Sequence, residues 1–98
     1  MATLIKVDGS KEEVVVPEDD SSLSFLQEMV GGMIELVPVL GEEAKQAGYV
    51  ELICDEEGKL KCKPVNEVAT KMAGRDGGYG FSDPLCGDCL FCIEGEIK

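Results

Sequence analysis

The chain has 98 residues, 44% of them hydrophobic, and its twenty acids outnumber nine basic residues to give a formal charge of −11 with no histidine. That is enough chain for one domain, residues 1–98, with a real core, and too little for two. The charge and the lack of any Lys/Arg cluster exclude direct binding along a nucleic-acid backbone, and the apolar runs fall far short of the roughly twenty residues a membrane-spanning helix needs.

The N-terminus lacks the basic-then-apolar pattern of a signal peptide, and five cysteines, an odd number, suit a reducing compartment. The expected location is the cytosol. Thr3–Val7 and Glu13–Val16 are β-rich runs around Asp8-Gly9-Ser10-Lys11, which predicts a hairpin that Pro17 ends. Glu18-Asp19-Asp20 and Ser21-Ser22 supply the charge and caps of a helix start. Leu23, Phe25, Leu26, Met29 and Val30 form its apolar face, and Gly31-Gly32 its stop.

Met33–Leu40 reads as a mostly buried strand in which Pro38, having no N–H, implies an edge or a bulge. Gly41–Gly48 is a polar excursion with about one helical turn. Tyr49–Cys54 and Lys59–Lys63 flank Asp55-Glu56-Glu57-Gly58 as a second hairpin. In its second strand Leu60 and Cys62 face inward, and Lys59, Lys61 and Lys63 form a solvated outer face. Asn66 caps a helix running through Ala73, with Val65, Val68, Ala69 and Met72 on its apolar side and Gly74 beyond it. Arg75–Pro84 is a glycine-rich loop containing the only arginine, and Cys89–Ile93 is a closing strand.

These elements predict an α+β fold: an antiparallel or mixed sheet of about five or six strands carrying two short helices on one face. The expected core is Ile5, Val7, Val14, Leu26, Val30, Ile34, Leu36, Leu52, Leu60, Met72 and Phe91. The Pro38 edge could pair with a second copy, making a homo-oligomer, or be protected by that proline.

Cys86, Cys89 and Cys92 have the Cys-x2-Cys-x2-Cys spacing that opens an iron–sulfur run, but no fourth cysteine follows. In a strand, Cys89, Phe91 and Ile93 face one way and Leu90 and Cys92 the other, so the three sulfurs cannot converge on one ion. A zinc or iron–sulfur site would need a loop there, with Cys54 or Cys62 as the fourth ligand. Packed free thiols are the favoured reading, so neither metal nor cofactor is expected. Without histidine no cysteine has the usual partner that lowers its pKa, no carboxylate pair is marked out by a motif, and the glycine-rich loop has neither phosphate-binding order. The sequence predicts a protein that is not an enzyme.

The stretch Leu26-Gln27-Glu28-Met29-Val30-Gly31-Gly32-Met33-Ile34-Glu35-Leu36-Val37-Pro38, followed by Cys54–Leu60 and Pro64-Val65-Asn66, resembles a small domain-of-unknown-function family common in phages, prophages and mobile elements. The likeness continues into Gly87–Cys92 and covers nearly the whole chain. Gly41–Gly48 and the loop after Gly74 depart from it. The family offers no catalytic residues to carry over, and the resemblance implies an accessory, anti-defence protein that binds and inhibits a host protein. Charge points the same way: Glu18, Asp19, Asp20, Glu42, Glu43, Asp55, Glu56 and Glu57 would occupy a basic, nucleic-acid-binding surface of that partner. The alternative is capture of a small nucleotide-like ligand, with Arg75 pairing phosphate and Tyr79 and Phe81 stacking on the base.

Overall fold

A computed structural model describes residues 2–17, 21–58, 60–77 and 83–94. Among them the chain forms, in order, strands β1 (Ala2–Ile5) and β2 (Lys11–Val14), helix α1 (Ser22–Val30), strand β3 (Ile34–Pro38), helix α2 (Glu42–Gln46), strand β4 (Tyr49–Asp55), helix α3 (Glu67–Met72) and strand β5 (Cys89–Ile93). The strands make one sheet in the order β2-β1-β5-β4-β3, and every neighbouring pair is antiparallel. The fold is therefore α+β, with the last of the described strands, β5, at the centre of the sheet.

That central position explains the composition of β5. Leu90 faces the same side as Leu4 and Ile53, and Phe91 the same side as Thr3 and Leu52. Both faces are covered, so the run from Cys89 to Cys92 is apolar without alternation and wholly buried. On one face Ile5, Leu52, Cys54, Cys89 and Phe91 pack against Ala69 and Ala73 from α3 and its C-terminus and against Ala44 of α2. On the other, Leu4, Ile53, Leu90 and Cys92 pack against Leu26 and Val30 of α1. The helices thus lie on both faces, where the sequence suggested one. The Tyr49 ring meets Phe91 edge-on at 5.7 Å between centroids, and its hydroxyl shares a 2.7 Å hydrogen bond with Thr3.

Local signals place the turns. Gly9 N–H donates to Lys6 C=O and Lys6 N–H to Ser10 C=O, closing the β1–β2 hairpin with Gly9 at positive φ. Gly31 ends α1 in the left-handed region, its N–H bonded to Gln27 C=O. Pro38 lies on β3, an edge strand. Val39 N–H donates to Val50 C=O and Met33 C=O accepts from Glu56 N–H, so odd-numbered residues of β3 turn their backbone groups toward β4 and even-numbered ones outward. The missing N–H of Pro38 is consequently on the open edge, where it blunts further pairing.

The expected strand over 59–63 does not form among its described residues, 60–63; Lys59 lies outside them. The described part of that segment is a turn, Cys62 takes a positive φ of 57°, and Leu60 is 82% exposed. Leu36 and Val7, also expected in the core, are exposed as well. Leu36 sits on β3, an edge strand, and Val7 lies beyond the last paired residue of β1. Among the described residues no helix is long and apolar enough to cross a membrane.

Candidate functional site

The last residue of β4, Asp55, organises the region where the candidate residues meet. Its side chain is buried, and Lys63 and Lys61 reach its Oδ2 at 2.7 and 2.9 Å while Glu57 N–H donates to Oδ1 at 2.9 Å. Burial alone would push this carboxyl up. The bonds from Lys63, Lys61 and the Glu57 amide outweigh it and hold the pKa down at about 2. Lys63 Nζ also donates to Val30 C=O at 2.9 Å, setting a cation against the negative end of α1. The two lysines therefore tie the turn after β4 to the end of α1, which is why that turn curls back and does not extend as a strand.

Gly32 belongs to the same knot. A Cβ there would stand 2.5 Å from Lys61 Nζ and 2.6 Å from Asp55 Oδ1, so only a glycine backbone allows the ion cluster its place. On the other side of the turn, a Cβ on Gly58 would come within 2.9 Å of Cys86 C=O, so the turn lies directly on the segment that leads into β5. Asn66 anchors that segment from below. Fully buried, it accepts from Ala69 N–H to cap α3 and donates through Nδ2 to Ile5 C=O at 2.8 Å and Gly87 C=O at 3.0 Å.

Between the Asp55 turn and this segment opens a cleft of about 240 Å³ lined by Glu35, Cys54, Glu56, Arg75, Asp83 and Cys86, among others. Arg75 donates to Asp83 Oδ2 at 2.9 Å, and Asp83 N–H donates to Arg75 C=O at 2.9 Å. Side chain and backbone together clasp the base of the glycine-rich loop. No described cation lies within ion-pairing distance of Glu35, Glu56 or Glu57. The Cys54 thiol points at Glu35 Oε1, 3.8 Å away. Burial, then the Glu35 charge, pushes it up to about 11; burial, then the neighbouring Cys54, pushes Cys89 up to about 12. Neither is primed as a nucleophile.

The structure thus brings Glu56 and Arg75, drawn from the two different expectations, to one cleft. Asp55 is not part of an acidic surface: its charge is spent inside on two lysines. Glu42 and Glu43 are exposed but line a separate cleft of about 500 Å³ between α2, α3 and Lys11, floored by Val68 and Met72. Glu18, Asp19, Asp20, Tyr79 and Phe81 lie outside the described residues. Glu35 and Asp83 were missed, and no local signal marks either; only the β3–β4 pairing and the loop clasp bring them to the cleft. Cys89 and Cys92 fall on opposite faces of β5, as the strand reading requires, and among the described residues no group of three or more metal-capable side chains gathers.

No curated protein and no solved structure matches the chain. A family model does, over residues 1–97, and its description is a domain of unknown function, DUF3846. With that match spanning almost its full length, the chain belongs to the DUF3846 family.

Proposed function

We propose that this protein is a non-enzymatic, acidic binding module that docks on a basic protein surface, and that its target is a host defence protein whose nucleic-acid-binding face it occupies. The observation that carries the reading is the cleft beside the Asp55 turn. There Glu35 and Glu56 stand without a cationic partner among the described residues, while the nearby cations are committed: Lys61 and Lys63 to Asp55, Arg75 to Asp83. Such a site suits a lysine or arginine side chain brought by a partner, because unbalanced carboxylates in a partly enclosed cleft attract a cation more strongly than they would in open water. A phosphate would meet those carboxylates and find its arginine already taken, which weighs against the nucleotide reading.

The test is a titration of the isotope-labelled chain with an arginine-rich peptide and, separately, with ADP, followed by amide chemical shifts. The peptide is expected to move the amides of Glu35, Glu56 and Cys86, with the response lost at high salt and in the Glu35→Lys/Glu56→Lys variant. A response to ADP alone, abolished by Arg75→Ala, would replace this reading with the ligand one.

A further inference from the structure

The two edges of the sheet differ, and the difference points to a partner. On β2 the Ser10 C=O accepts from Lys6 N–H on β1, so Ser10, Glu12 and Val14 turn their backbone groups inward and Lys11 and Glu13 turn theirs to solvent. Lys11 and Glu13 lie opposite Ile5 and Thr3, so both side chains stand on the α3 face, and both residues are exposed. No proline interrupts this edge, whereas Pro38 blunts the other.

We propose that a second copy of the chain pairs antiparallel along β2, with the two-fold axis through Glu12, joining two sheets into one. In this register Lys11 faces the partner's Glu13 and Glu13 faces the partner's Lys11, each pair exchanging two backbone hydrogen bonds and setting opposite charges across the seam. Centring the axis on Lys11 or on Glu13 would set like charges face to face. On the α1 side Glu12 meets the partner's Glu12, and Lys6, 3.7 Å from Glu12 Oε2 in each copy, offsets that approach. Charged edges deter strands at random; a self-complementary Lys-Glu-Glu edge deters foreign strands and admits its own copy.

The seam is short, so association is weak and concentration-dependent, with an area below the ~1,200 Å² of stable complexes. Sedimentation equilibrium in about 0.15 M salt, where distant charges are screened over about 8 Å, tests it. The average mass is expected to climb from the 10.5 kDa monomer toward twice that value as concentration rises. Lys11→Glu and Glu13→Lys should each keep the chain monomeric, and the double swap should restore the dimer. Glu13→Pro, which deletes an outward N–H and none bonded to β1, should also be monomeric, with circular dichroism checking that each variant is folded. A monomer at every concentration, a dimer indifferent to the single swaps, or a double swap that stays monomeric would overturn the proposal. So would an edge that pairs only with an added foreign peptide.

Discussion

Removing the Asn66 carboxamide would strand the Ile5 and Gly87 carbonyls and uncap α3 in one step. Buried groups left unpaired cost about 1–3 kcal/mol each, so Asn66→Ala is expected to lower the unfolding free energy by about 3 kcal/mol in a urea titration. A loss below about 1 kcal/mol would mean that water replaces the amide. Asp55 gives a pH signature. Its folded pKa is depressed, so its contribution is full above the unfolded value near 3.8 and fades as pH falls toward about 2. The stability gap between the native chain and Asp55→Asn, about 2 kcal/mol at neutral pH, is expected to close between pH 4 and pH 2. A gap unchanged at pH 2 would show that shape, not charge, holds the turn. Thiol reagents supply a further check: exposed Cys62 should react at once in the native protein, and buried Cys54, Cys89 and Cys92 only on unfolding. At this scale the sequence was a good guide to the Asn66 cap and to the packing of Cys54, Cys89 and Cys92, but not to Cys62, which was expected inward and is exposed. It did not show that Asp55 is buried, because a carboxylate beside Glu56 and Glu57 reads as surface until Lys61 and Lys63 are seen to fold back on it.

The paired glycines after α1 do different work. Gly31 supplies a left-handed cap, and its replacement by alanine should cost about 1 kcal/mol. Gly32 makes room for the Asp55–Lys61 pair, so Gly32→Ala should cost more than Gly31→Ala and should shrink the Asp55 pH effect as well. Equal losses with an intact pH effect would count against this division. Among the elements, the hairpin at Gly9, the α1 stop, the edge position of Pro38 and the capped start of α3 were all legible, because each depends on chain-local chemistry. The 59–63 strand was misread for a reason that is not local: alternating lysines suit a solvated strand face, but the ammonium groups of Lys61 and Lys63 gain more from Asp55 and the end of α1. Helices on both faces followed from the unbroken apolar run of β5, whose burial on two sides shows once β5 is seen to lie between β1 and β4.

Across the whole molecule the charge of −11 is spread over a small surface, and among the described residues Lys6, Lys61, Lys63 and Arg75 are held in ion pairs within the chain. Repulsion among the remaining acids opposes the compact state. Raising sodium chloride from about 0.02 to about 0.5 M should therefore raise the melting temperature by a few degrees, since screening relieves long-range repulsion more than it weakens the buried Asp55 pairs. A falling melting temperature would mean that the ion pairs dominate. The composition made the acidity plain, but not where it is left unbalanced, because Glu35 and Glu56 come from separate segments that only the tertiary fold assembles. The proline on the outer side of β3 has one more consequence. A polymer chemist would call a unit with one live end and one dead end monofunctional: it can couple once and then terminates the chain. Sheet growth through β2, whether with its own copy or with another strand, has no second site from which to continue, so the joined sheet stops at a pair instead of propagating into a fibre.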